Sequence, residues 1–153
     1  MGIKRKDNKY RKPKKPFDGK RIQEEKQILN KFGLKNKKEI WKAEFQINIL
    51  KAKAKQIMNS DEEKKKNFVE KLKRKCFDIN NVLDVLDLTK ENWLERRLQT
   101  FVLKKGLAKT IKEARQLITH KKIIVGKRIV NIPSYFVTKD EENKIKLKEE
   151  KNG

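Results

Sequence analysis

Apolar residues recur at helical spacing along most of this chain, and the spacing predicts where each helix begins and ends. A first helix is expected over residues 21–32, stopped by Gly33, where a left-handed residue is wanted. Asn36, with Glu39 three residues on, then reads as a capping box opening a long helix. Ile40, Trp41, Phe45, Ile49 and Leu50 supply its apolar stripe. Asn59-Ser60-Asp61 breaks the pattern, and Ser60 with Glu63 predicts a further capped helix to about residue 77. Residues 78–89 read as a connector with a short helical turn around residues 82–86.

Thr89 is expected to cap a continuous helix through residue 105, with Leu94, Leu98, Phe101 and Val102 on its core face and Gly106 as its stop. Leu103 points away from that face and is assigned to docking onto the preceding helices. Thr110 and Glu113 form another capping box, opening a helix to about residue 119. Beyond His120 the period changes from helical to alternating. Residues 122–125 and 128–132 read as strands, and Gly126-Lys127 fits a two-residue hairpin turn. Pro133 ends the second strand, and residues 135–137 and 144–147 offer further short strands. The class is α+β. Four parts are expected: a basic extended arm at 1–20, a helical domain at 21–88, a helix-helix-hairpin module with a small antiparallel sheet at 89–148, and a disordered tail at 149–153.

Charge changes this picture from a fold to a function class. The 153 residues hold 43 Lys+Arg against 21 Asp+Glu, a formal net charge of +22, with only 35% hydrophobic content. So strong a self-repulsion calls for a polyanionic partner. A membrane is disfavoured because even the longest apolar runs, such as Ile123-Ile124-Val125, are too short to span a bilayer. No apolar stretch follows the basic N-terminus, so a secretory signal is not expected. The arm, with Arg11, Lys12, Lys14 and Lys15 among its cations and Tyr10 and Phe17 as its aromatics, is expected to order only against a partner. Cys76 is the only cysteine, which rules out an intramolecular disulfide. It shares a helical face with Phe68 and Leu72 and reads as a buried small hydrophobe.

The predicted helix at 111–119 carries the sharpest signal. Ile111, Ala114, Leu117 and Ile118 share one face; Lys112, Arg115, Gln116 and Thr119 share the other. From Arg96 to Lys139 there are twelve basic residues and one acidic residue, Glu113, already assigned to a cap. A merely solvated face mixes both signs. This one reads as a phosphate-tracking surface, with Arg and Lys giving charge and Gln, Thr and His giving directional donors. His120 either donates to phosphate or caps the helix end. As the lone histidine it leaves no two-histidine metal site. Adjacent acid pairs such as Glu24-Glu25, Glu62-Glu63 and Glu141-Glu142 do not face each other, so no acid-base pair is indicated. Trp41 and Trp93 lie on apolar stripes and read as packing residues. No cofactor, metal or catalytic residue is expected.

The segments LERRLQT (94–100), KKGLAKT (104–110), ARQLITH (114–120) and PSY (133–135) strongly resemble the S-four RNA-binding domain, over residues 94–137 in all. Upstream, KPKKPFDGKRIQEEKQILNKFGLKNKKEIWKAE (12–44) resembles the N-terminal part of the archaeal and eukaryotic form of the ribosomal protein S four family. The resemblance implies a structural constituent of the small ribosomal subunit, cytoplasmic and not an enzyme. It implies binding to the five-prime domain of the small-subunit ribosomal RNA, a part in early assembly and in decoding accuracy, and ribosomal protein S five as a neighbour. No small-molecule substrate is implied. The RNA-facing residues it implies include Arg96, Arg97, Lys109, Thr110, Arg115, Gln116, His120, Lys121 and Lys122. With the basic residues around them, Lys104, Lys105, Lys112, Thr119, Lys127 and Arg128 join this set, as do Arg11, Lys12, Lys14 and Lys15 of the arm. The alternative is a biogenesis factor of the same family acting on precursor ribosomal RNA. An RNA-modifying enzyme would need a catalytic domain that the preceding helices do not resemble. DNA compaction is a further reading that a competition assay separates.

Overall fold

The computed structural model describes residues 9–75 and 77–148. Cys76, the outer part of the arm and the tail at 149–153 lie outside the described residues.

Helix α1 (Gly19–Phe32) starts two residues before its expected position because Asp18 caps it, accepting the Arg21 N–H. Gly33 ends it at φ 57. A side chain there would meet more than backbone strain: a Cβ would lie 2.8 Å from Ile111 and 3.0 Å from Gln99 Nε2. The end of α1 is therefore packed directly on the later module. Helix α2 (Lys37–Met58) follows Asn36, which makes no side-chain cap bond; Glu39 accepts the Lys35 N–H instead. Helix α3 (Glu62–Arg74) is preceded by Asp61, not by the expected Ser60 box, and Ser60 Oγ donates back to the Gln56 carbonyl. It ends three residues earlier than the apolar pattern suggested. A 3-10 turn at Leu83–Asp87 occupies the connector, its entry fixed by Asp84 accepting the Asn80 and Asn81 N–H groups.

The expected single helix at 89–105 is two helices, α4 (Lys90–Glu95) and α5 (Leu98–Lys104). Arg97 turns extended at φ −78, ψ 146. The chain breaks there because residues 96–98 pair with residues 135–137. The Leu98 N–H donates to the Tyr135 carbonyl at 2.8 Å, the Val137 N–H to the Arg96 carbonyl at 2.9 Å, and Arg97 bridges Phe136. The Thr100 hydroxyl donates to the Leu94 carbonyl at the break, so that buried acceptor is satisfied.

Helix α6 (Ile111–Thr119) opens as expected, with Thr110 Oγ1 accepting the Glu113 N–H and Glu113 accepting the Lys109 N–H. It closes through Lys121 at φ 59, whose N–H donates to Ile118 while that of Lys122 reaches Leu117. Strands β1 (Ile123–Val125) and β2 (Arg128–Ile129) form the hairpin, with positive φ at Gly126 and Val125 paired to Arg128. The second strand is shorter than expected. A further helix α7 (Lys139–Glu142), not foreseen, is capped by a Thr138–Glu141 box. Strand β3 (Ile145–Leu147) returns to β1, giving the antiparallel order β2-β1-β3.

Three apolar clusters result. One holds the module, with Leu98, Val102, Ala114, Ile118, Ile123 and Val137 at its centre. The α6 core contacts are Ala114 and Ile118; Leu117, expected in the core, is only partly buried at its edge. The others lie among α1, α2, α3 and the 3-10 turn. Leu94 packs in one of these with Ile28, Phe32 and Ile40, so α4 serves the helical half. Leu103 is half-buried and belongs to none of the three clusters. Trp93 and Phe136 meet at 4.7 Å with Phe77 beside both, a three-ring contact that ties residues distant in sequence.

Candidate nucleic-acid interface

The module's candidate RNA-facing residues divide into two groups. Exposed on α6, its end and the hairpin are Lys109, Lys112, Gln116, Thr119, His120, Lys121, Lys122, Lys127 and Arg128, with Lys104 and Lys105 at the end of α5. Thr110 is also exposed but its hydroxyl is engaged as the cap of α6. The Thr119 hydroxyl donates back to the Arg115 and Gln116 carbonyls. The outward lysines carry charge at the ends of long stems, and no carboxylate of α6 other than Glu113 competes with them.

Arg97 is buried and Arg96 and Arg115 are partly buried, and each of the three is engaged by a carboxylate. Arg97 is 4% exposed and donates to Glu39 at 2.6 Å. Arg115 donates to both Glu39 oxygens, the nearer at 3.0 Å, and to Gln99 Oε1 at 3.3 Å. Arg96 lies over the Phe101 ring at 4.7 Å and pairs with Glu142. The sequence count of one carboxylate missed Glu39 and Glu142 because both arrive from elements outside the counted stretch. Burial alone would raise the Glu39 carboxyl. Hydrogen bonds and charge from Arg115 and Arg97 outweigh it and hold the carboxyl below the ordinary glutamate range.

Gln99, 1% exposed, explains how the helices stay in place around this pair. Its amide nitrogen donates to the carbonyls of Gly33 at 3.1 Å and Ile111 at 2.9 Å, and its oxygen accepts from Arg115. Both donors of its amide group and one acceptor site of its oxygen are used.

A cleft of about 570 Å³ opens between the two halves over this network. Lys9, Lys35, Lys38 and Lys42 line it opposite Arg97 and Arg115. These lysines were absent from the expected set. Lys38, Lys42 and Gln46 recur at i, i+4, i+8, which was the available signal for a polar face on α2.

Part of the arm touches the body, and most of residues 11–18 are exposed. Tyr10 stacks on Trp41 at 6.2 Å, and Arg11 and Lys12 line a depression with Trp41 and Arg21. Trp41 in turn donates to buried Glu25 at 2.9 Å. Lys14 and Lys15 remain exposed.

Residues 96–143 match the family model described as S4 domain. A protein of Nanoarchaeum equitans named small ribosomal subunit protein uS4 is 43% identical over 151 residues, covering 94% of this chain and 84% of the relative. The protein of that name from Methanothermobacter thermautotrophicus is 41% identical, covering 95% and 89%. That from Thermoplasma acidophilum is 41% identical, covering 92% and 75%. With identity of this level over nearly its whole described length, the chain belongs to the uS4 family of small ribosomal subunit proteins.

Proposed function

We propose that this chain is a structural component of the cytoplasmic small ribosomal subunit that binds small-subunit ribosomal RNA through its module and arm. The role is structural and not catalytic, in keeping with the family. The observation that carries the RNA reading is the exposed run from Lys112 through Gln116 to Lys122, continued by Lys127 and Arg128. Lysines there give charge to phosphates, and Gln116 and His120 supply directional donors. Arg115 acts from behind by fixing α6 against α2, and Arg97 by fixing the start of α5 there. Within this reading the target is the five-prime domain, bound early in assembly, with ribosomal protein S five as a neighbour and an influence on decoding accuracy.

Sedimentation of the tagged chain tests the assignment. It should travel with mature small subunits, and a purified five-prime-domain transcript should bind it directly. Presence only in precursor particles would make it a biogenesis factor instead.

A further inference from the structure

Phe17 is 92% exposed, an unusual position for a large aromatic ring. It is not on a loose strand. Arg21 Nη2 donates to the carbonyls of Lys15 at 2.8 Å and Pro16 at 3.0 Å. The same guanidinium is anchored through Nη1 to Glu25 at 2.9 Å, and Glu25 is 2% exposed. On the other side of the ring, Asp18 is held as the cap of α1. The backbone is thus pinned immediately before and after Phe17, and the ring is presented outward by a fixed turn.

The arm's other described aromatic behaves differently. Tyr10 lies against Trp41 and holds the arm to the body. Phe17 has no such packing task. Its surroundings are cationic: from Lys9 to Gln23 there are seven Lys and Arg against Asp18 alone, and Asp18 is the cap. Lys14, Lys15 and Lys20 are exposed and flank Phe17 in sequence.

A flat apolar face on a segment rich in exposed cations matches a flat apolar partner flanked by anions. An unpaired nucleotide has that form, its base a π-face and its phosphates on either side. An apolar protein pocket would have to be ringed by carboxylates to accept the same surface. We propose that Phe17 is a stacking platform for one unpaired base of the RNA, with Lys14, Lys15 and Lys20 engaging the adjoining phosphates. This rests on the RNA-binding reading above and assigns it a second contact point, on the arm.

The test uses the full chain and a transcript of the small-subunit five-prime domain, with Phe17→Ala, Phe17→Leu and Phe17→Trp. Stacking predicts that Phe17→Ala and Phe17→Leu each weaken binding by about 5- to 150-fold. Phe17→Trp should stay close to the parent chain. Melting temperature and the slope of log affinity on log salt should be unchanged in all three, because no cation and no core contact is lost. One base should lose protection from dimethyl sulfate in the Phe17→Ala complex and regain it with Phe17→Trp. Parent-level binding by Phe17→Ala or by Phe17→Leu overturns the stacking assignment. If Phe17→Ala binds the transcript normally but fails to enter assembled subunits, the ring meets a protein and the assignment is equally overturned. Failure of the parent chain to bind the transcript is a different result, which removes the RNA reading itself and the stacking with it.

Discussion

Glu39 on α2 accepts two hydrogen bonds from Arg115 on α6, across 76 residues of sequence, and a third from Arg97 at the α4–α5 break. The side chains are 16%, 25% and 5% exposed, so water screens the group weakly. One carboxylate between two guanidiniums is a junction between the helical half and the module. Removing the carboxylate strands two cations against each other.

Arg97→Ala should destabilise by about 1.5–3 kcal/mol for the lost charge-assisted hydrogen bond, with a further loss from its buried stem, although Glu39 keeps Arg115. Arg115→Ala should cost about 1.5–3 kcal/mol, the scale of a charge-assisted hydrogen bond, since Glu39 keeps Arg97. Urea unfolding of both variants measures this. A fold unaffected by Arg115→Ala, with RNA binding alone reduced, would return Arg115 to the RNA surface.

The Glu39 carboxyl titrates below the ordinary glutamate range because the two arginines outweigh its burial. A carboxyl depressed in the folded state adds stability above its unfolded pKa, and that stability is lost as pH falls through the folded value. Stability should thus decline on acidification from the ordinary carboxylate range downward. Glu39→Gln should already be less stable at neutral pH, and its deficit should shrink as pH falls below the ordinary carboxylate range and the parent carboxyl protonates. Denaturant midpoints across pH read this. A deficit constant with pH would mean that Glu39 acts through shape and not charge.

Gly33 is held by two independent constraints, its φ of 57 and its approach to Ile111. Gly33→Ala should lose about 1–2 kcal/mol to the left-handed backbone and about 1–3 kcal/mol more to overpacking. Gly33→Asn separates the two, because Asn tolerates that φ but still carries a Cβ. Thermal melts should find both variants destabilised. Full tolerance of Asn would show that Ile111 yields easily and that only the backbone matters.

What was legible in the sequence was local. Caps such as Thr110 with Glu113, the stop at Gly33 and the hairpin at Gly126-Lys127 are written within a few residues, and they stand where expected. The break at Arg97 was not legible, because LERRLQT contains neither Gly nor Pro and keeps a helical apolar period. It exists because residues 135–137 pair with it, a contact of long sequence separation. The pairing of Arg115 with Glu39 was not legible for the same reason. Spacing placed it correctly on the polar face of α6, but a polar face can turn toward another domain's carboxylate as well as toward solvent. Leu117 and Ile118 show the limit of a helical wheel: both fall on the apolar face, and only the packed neighbours decide which is central.

Ile118 is completely buried, whereas Leu117 sits at the cluster's margin. Ile118→Ala should cost about 2–5 kcal/mol through lost packing and a residual cavity. Leu117→Ala should cost clearly less, because solvent and neighbours can fill the edge. Equal losses would place Leu117 in the core after all.

The exposed lysines should separate from the inward arginines in their response to salt. If RNA binding neutralises about six or more phosphates, affinity falls by orders of magnitude between low and moderate salt. Each lysine that engages a phosphate contributes about one unit of slope in log affinity against log salt. Lys112 and Lys121 are both exposed. Lys112→Ala combined with Lys121→Ala should lower the slope by about two units and leave the melting temperature nearly unchanged. Arg97→Ala should do the reverse, lowering the melting temperature while the folded fraction keeps its slope. Filter binding across a salt series, corrected by melts for the folded fraction, distinguishes the two. A slope unaffected by the double lysine change would place the phosphates elsewhere, and the lysines facing the cleft from α2, Lys38 and Lys42, would be the next to change.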